Sequence, residues 1–336
     1  MPDPISTPSF STLLQRFFVE YLGRQRAVSP CTIAAYRDTF RLLLNFAEAK
    51  ISKSPATLKL VDLDARLILS FLDHLEKERN NGVRSRNARL AVLRSFLKYA
   101  AHHDLGALHV IEQVLAIPTK RFDRPVLGFL SRQEMQAILE APDPRTWTGQ
   151  RDRALFSLMY NTGARVSEII SLRIGDVSIN GSAAAHLHGK GRKERSVPLW
   201  PSTTALIRGW KRRLDDLGDD KLLFPNRTGG NMARSNVTQR LELAVSIATQ
   251  HHPQLTHRSI SPHTIRHTTA MHLLQSGVDI AVIALWLGHE SPATTHMYLE
   301  ADLSMKERAL NRLQPTGAKI GRYRPPDQLM QFLQSL

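Results

Sequence analysis

The stretch SISPHTIRHTTAMHLLQSG, Ser259 to Gly277, decides how the C-terminal half of this 336-residue chain is read. Ser261-Pro262 is a good cap and first-turn pair, and Gly277 is a good stop, so a helix is predicted between them. On that helix His263 and Arg266 stand three apart and share a face. His267 and His272 follow, and histidines that close raise the question of a metal. The helix has no carboxylate and no HExxH spacing, so no metal site is expected there.

The pattern continues on both sides. Downstream, DIAVIALWLGHESPATTHMY (279–298) predicts a helix from Asp279 to Leu287, stopped by Gly288. His289 then falls on the loop just beyond that helix end. Ser291-Pro292 opens another helix, which carries Tyr298 about two turns in. Upstream, NTGARVSEIISLRIGDV (161–177) puts Arg165 at the start of a helix packed through Ile169, Ile170 and Leu172. Glu168 stands at i+3, close enough for an ion pair on the same face. Between these stretches, AAAHLHGKGRKERSVPLW (183–200) predicts a short β-ribbon, with Lys190 and Lys193 in the turn region. Gly189-Lys190 is not a phosphate loop, because Ala184 and Gly191 stand where that motif needs glycine and a hydroxyl residue.

The first third of the chain is helical by spacing. Leu13, Leu14, Phe17, Phe18, Tyr21 and Leu22 recur at helical intervals, and a second helix follows Ser29-Pro30. A third lies near Leu63–Leu75. A fourth, RSRNARLAVLRSFLKYA, follows the breaker Asn80-Asn81-Gly82 and interleaves Leu90, Leu93 and Leu97 with Arg84, Arg86, Arg89, Arg94 and Lys98. One face of it can pack while another meets phosphate; a solvated basic face fits this helix equally well. PTKRFDRPVLGFLS (118–131) reads as an interdomain linker, after which Ser131 and Glu134 form a capping box.

Composition narrows the class. Forty-five lysines and arginines against thirty acids give a formal charge of +15, which favours a polyanionic partner, nucleic acid first. The single cysteine, Cys31, excludes an internal disulfide and suits a reducing cytoplasm. The opening residues lack the order of a secretory signal, and no apolar run is long enough to span a bilayer, so no membrane association is expected.

Taken together, Arg165, Lys190, His263-x-x-Arg266, Leu287-Gly288-His289 and Tyr298 resemble the catalytic series of the tyrosine recombinase, or phage integrase, family. Tyr298 lies nine residues after His289 and thirty-five after His263, as that series requires. The likeness spans about 125 to 302 through motifs and about 10 to 110 through a helical pattern like the family's core-binding domain. Ile265 stands where the family often has leucine, and no further histidine follows Tyr298 at two residues.

The resemblance implies a mainly α fold, with a helical N-terminal domain and a small antiparallel β-ribbon or sheet in the C-terminal catalytic domain. The expected organisation is a DNA-binding domain over 1–117, a linker over 118–130, a catalytic domain over 131–314 and a tail over 315–336. It implies that Tyr298 attacks a strand to form a 3′-phosphotyrosyl link and that Arg165 and Arg266 hold the phosphate. His263 is then the acid/base near the tyrosine, His289 a hydrogen-bond donor to the phosphate, Lys190 the general acid and Glu168 a support for Arg165. Lys193 shares the ribbon tip and competes with Lys190 for its role. Arg84, Arg86, Arg89 and Lys193 are the expected DNA contacts.

The chemistry needs no metal, cofactor or ATP, since a covalent enzyme–phosphate bond stores the phosphodiester energy and guanidinium groups supply the charge. The expected partners are double-stranded DNA carrying a specific site and further copies of the chain, or related recombinases, in a tetrameric synapse at the nucleoid of a bacterial cytoplasm. Integration or excision of a mobile element is favoured over Xer-type resolution of chromosome dimers. A type IB topoisomerase shares part of the series, but GARVSE and LGH favour the recombinase. The tail, with Leu329, Met330, Leu333 and Leu336 in one stripe, is too short to fold alone and is expected to dock on a neighbouring protomer or on its own domain.

Overall fold

The computed structural model describes residues 8–122, 128–189, 193–214 and 218–288. Lys190, His289, Tyr298 and the tail 315–336 lie outside these described residues. The chain divides into two units, Met1–Pro125 and Val126–Leu336.

In the first unit, α1 (Phe10–Arg16) starts at Ser9, whose hydroxyl accepts from the Thr12 amide at 3.2 Å. It runs on from Phe17 to Gln25 in wider π-helical turns. Leu13, Phe17 and Leu22 are fully buried. The five-residue step from Phe17 to Leu22 matches the i→i+5 bond from the Arg26 amide to the Tyr21 carbonyl at 2.8 Å. The chain then forms α2 (Pro30–Ile51), α3 (Ala65–Lys77), α4 (Val83–Ala100) and α5 (Leu108–Leu115). Ser29 caps α2 and Asp64 caps α3. Phe96 of α4 centres the core and meets Phe10, Phe17 and Phe40 edge-on at 5.8, 5.4 and 5.2 Å.

The basic side chains of α4 do not form a single solvated face. Arg84 and Lys98 are exposed. Arg86 is buried at 3% exposure and donates to the Pro118 carbonyl at 3.3 Å. Arg94 donates to the Ile117 carbonyl, and Asn87 Nδ2 to that of Lys120 at 2.8 Å. Arg89, half-buried, reaches Thr39 Oγ1 at 3.3 Å. The expectation that Arg86 meets DNA is therefore corrected: its guanidinium serves the backbone that follows α5. The same contacts narrow the stretch expected as linker. Residues 117–120 are fastened to α4, and the Leu130 amide donates to Thr268 Oγ1 at 3.1 Å inside the second unit.

The second unit opens with α6 (Arg132–Glu140). Its Ser131–Glu134 capping box is closed from both sides, at 3.2 and 2.7 Å. The elements α7 (Trp147–Thr162), α8 (Val166–Ile170), α9 (Pro201–Lys211), α10 (Arg234–Ala248), α11 (Pro262–Gln275) and α12 (Ile280–Leu287) follow in order. Three antiparallel strands, β1 (Val177–Ser178), β2 (Ala184–His188) and β3 (Glu194–Pro198), lie between α8 and α9 in the order β1-β2-β3. Strand register pairs Leu187 with Arg195 and His188 with Glu194. Helices α7 and α11 are buried on nearly all sides, so neither shows a simple apolar stripe. His267 and His272 are both buried in α11. The His272 ring meets the Tyr160 hydroxyl at 2.7 Å, which accounts for it structurally. Among the described residues no helix is long and apolar enough to cross a membrane.

Candidate active site

Three sequence-distant segments meet at the C-terminal end of α12. Gly163 ends α7 with φ +60° and turns the chain so that Arg165 becomes the N-cap of α8. A side chain at 163 would place its Cβ 2.3 Å from Leu287 Cδ2, so glycine here lets α7 close against α12. Gly288 ends α12 in the same left-handed conformation, φ +65°.

Helix ends leave carbonyls without helical partners and carry partial negative charge, so cations dock there. Arg266 of α11 donates to the Leu287 carbonyl at 2.8 Å and to the Gly163 carbonyl at 2.6 Å. Arg165 Nη2 faces the next carbonyl, Gly288, at 3.4 Å. Two guanidinium groups thus attach to consecutive peptides immediately before residue 289. Arg266 is 3% exposed, while the Arg165 side chain is 37% exposed.

Glu168 holds the second side of this arrangement. Its carboxylate accepts from Arg165 twice, from the backbone amide and from Nη1, both at 2.9 Å. Arg195 of β3 closes the other side with bonds of 2.8 and 3.3 Å to the same carboxylate and a third, of 2.9 Å, to the Trp286 carbonyl. Burial alone would raise the Glu168 pKa, but the Arg195 hydrogen bond and charge and the Arg165 contacts hold it below the usual carboxylate value. Arg195 also backs onto Gly288: a Cβ there would lie 2.8 Å from Arg195 Nη1.

Of the residues expected from sequence, the structure brings Arg165, Glu168 and Arg266 together. His263 is exposed in the first turn of α11, one turn before Arg266. Lys193 is exposed at the ribbon tip, where its carbonyl accepts from the Gly189 amide at 2.7 Å. Arg84 and Arg89 belong to the first unit. Arg195 is the residue that sequence reading missed. Its signal was present in the ribbon: with a period of two, Arg195 alternates with Ser196 and shares a face with the buried Val197, so an arginine points inward and needs a partner.

The family model for the phage integrase family matches residues 128–305, and that for the phage integrase N-terminal SAM-like domain matches residues 15–104. The chain belongs to the phage integrase family. It is a tyrosine recombinase, of a family whose members cleave and rejoin DNA strands. It is 47% identical to y4rC of Sinorhizobium fredii, designated an integrase/recombinase, over 98% of each chain. It is 32% identical to the tyrosine recombinase XerC of Oceanobacillus iheyensis, over 84% of this chain and 89% of the relative. Its fold is shared with the solved structure of the XerH site-specific recombinase bound to a palindromic difH substrate, a post-cleavage complex. There the TM-score is 0.67 at 22% identity, over 90% of this chain and 83% of that one.

Proposed function

We propose that this recombinase cuts and rejoins double-stranded DNA at a specific site, with Tyr298 as nucleophile. The observation that carries the reading is the docking of Arg165 and Arg266 on the consecutive carbonyls of Leu287 and Gly288, at the point where the chain leads into His289 and Tyr298. Two guanidinium groups fixed before substrate arrives suit a transition state whose negative charge is spread over non-bridging phosphate oxygens. Arg165, the more exposed, meets the phosphate with its orientation set by Glu168. His263 takes the phenolic proton of Tyr298, whose oxygen attacks phosphorus. The strand's 5′ oxygen leaves and receives a proton from Lys190. The resulting 3′-phosphotyrosyl ester is later attacked by another 5′ hydroxyl, which releases the tyrosine. His289 donates a hydrogen bond to the phosphate throughout.

The substrate is DNA carried by a mobile element, acted on by four copies of the chain in the bacterial cytoplasm. The designation of the 47%-identical relative y4rC as an integrase/recombinase is the support for integration. The formal charge of +15 supports an electrostatic share of the binding, with affinity falling steeply in salt.

The test is a nicked suicide duplex carrying the element's own end sequence. The native chain is expected to form a covalent protein–DNA adduct, and Tyr298→Phe is expected to form none. Arg165→Lys is expected to slow adduct formation about a hundredfold or more while leaving duplex binding nearly unchanged. An adduct that persists in Tyr298→Phe rejects the nucleophile. Adduct formation on a chromosomal dimer-resolution site with none on the element's ends rejects the mobile-element assignment. Removal of residues 315–336 is expected to abolish cooperative synapsis.

A further inference from the structure

The outward face of the β2–β3 ribbon carries a cluster that recombination chemistry does not use. His186 and His188 stand two apart on β2 and so share a face, and Glu194 lies across from His188 on β3. Both imidazoles turn one nitrogen to the same carboxylate. His186 Nε2 is 3.2 Å from Glu194 Oε2, and His188 Nδ1 is 3.1 Å from Glu194 Oε1. The three donors lie within 4.8 Å of one another.

The other nitrogen of each ring is already fixed. His186 Nδ1 meets Ser196 Oγ at 3.1 Å, and His188 Nε2 meets Asp176 Oδ1 at 3.4 Å. In metal sites a ligating histidine gives its second nitrogen to a carboxylate, carbonyl or water, which sets its tautomer and orientation. Ligands about 2.1 Å from a tetrahedral ion are about 3.4 Å apart, close to the separations seen here. The side chains are 42%, 49% and 56% exposed, so an ion and its remaining water ligands can enter from solvent.

We propose that His186, His188 and Glu194 form a binding site for one divalent transition-metal ion of the zinc type, with Ser196 and Asp176 as orienting groups. Two imidazole nitrogens and a carboxylate suit such an ion better than magnesium or calcium, which take oxygen ligands. The ion joins the end of β2 to the start of β3 and acts as a clamp on the ribbon. It takes no part in strand cleavage, so the site stands or falls apart from the recombinase reading.

The experiment titrates zinc into the metal-stripped full-length chain against a chromophoric chelator and follows thermal unfolding in parallel. The parent is expected to bind one equivalent and to melt at a higher temperature with zinc than with magnesium. The double variant His186→Gln/His188→Gln is expected to lose that equivalent and the shift, and Ser196→Ala to bind at least about tenfold more weakly. Glu194→Gln, which keeps the shape of the site, is expected to weaken binding as well. No saturable zinc binding by the parent, or binding that persists at parental strength in the double variant and in Glu194→Gln, overturns the proposal. His188 and Glu194 are exposed and His186 is half-buried, so the metal-free variants should melt close to the metal-free parent.

Discussion

Replacing Arg195 by alanine tests how the site is held. The substitution removes two hydrogen bonds to Glu168, at 2.8 and 3.3 Å, and one to the Trp286 carbonyl at 2.9 Å. Glu168, 4% exposed in the parent chain, keeps Arg165 as its remaining cation, and that cation is itself more than a third exposed. Breaking a buried ion pair from one side commonly costs about 3–5 kcal/mol, because a charge is left underpaired away from water. Arg165 still compensates in part, so the lower end applies, about 3 kcal/mol. With a urea dependence of about 3 kcal/mol per molar, the unfolding midpoint should fall by about 1 M.

Fluorescence reads this cleanly, because all four tryptophans, 147, 200, 210 and 286, lie in the second unit. Combining the substitution with Glu168→Gln removes the stranded charge. The double variant should then be more stable than the sum of the singles by at least about 1 kcal/mol. A midpoint shift smaller than about 0.2 M in Arg195→Ala, or strict additivity in the cycle, would refute the claim that Arg195 pairs Glu168 in the folded chain.

The first unit offers a contrast on one helix. Arg84→Ala, at an exposed position, should leave unfolding unchanged and lower the salt slope of DNA binding by about one. Arg86→Ala should instead destabilise by about 1–3 kcal/mol and speed proteolysis around residues 118–120, since it strips the Pro118 carbonyl of its donor. Equal effects of the two substitutions on DNA affinity alone would contradict the burial of Arg86. Part of the acid sensitivity should map to Glu168. Its pKa in the folded chain lies below the ordinary 4.5, so its stabilising contribution is complete above that pH and is lost as pH falls through the lower folded value. The stability difference between the native chain and Glu168→Gln should therefore be constant near neutrality and shrink on acidification below about pH 4.5. A difference that shrinks already between about pH 7 and 5 would assign the titration to another group.

What the sequence made legible was local. Ser29, Asp64, Ser131, Ser261 and Asp279 each bond an amide within three residues, so the starts of α2, α3, α6, α11 and α12 needed no knowledge of the rest of the chain. The Arg165–Glu168 pair was legible for the same reason. The fate of the other arginines was not. Arg84 and Arg86 look alike in sequence, and only the return of residues 117–120 against α4 decides that one is buried. The interior of α7 was hidden for a related reason: Asp152 and Asn161 are buried among its apolar residues, and Arg240, which pairs the first, and Pro198 and Trp200, which bond the second, lie elsewhere in the fold. Strand β1, two residues long, is too short to show a period. The convergence at α12 was legible only as an order of motifs, because its geometry depends on main-chain carbonyls, which every residue carries alike.

That dependence gives Gly288 a testable weight distinct from backbone strain. Gly181 has almost the same conformation, φ +64° against +65°, but a Cβ there meets nothing within 4 Å. Gly181→Ala should therefore cost only the left-handed penalty, about 1 kcal/mol. Gly288→Ala carries the same penalty and also sets its Cβ 2.8 Å from Arg195 Nη1 and 3.2 Å from Cζ. The tip of an arginine would ordinarily swing aside at little cost. Here it is held by the Glu168 carboxylate and the Trp286 carbonyl, so moving it strains the ion pair that orients Arg165. Gly288→Ala should then cost at least about 1 kcal/mol more than Gly181→Ala in urea unfolding, and that excess should vanish when both are made in an Arg195→Ala background. If the excess survives without Arg195, the crowding comes from elsewhere, and Gly288 does not link the end of α12 to the ribbon.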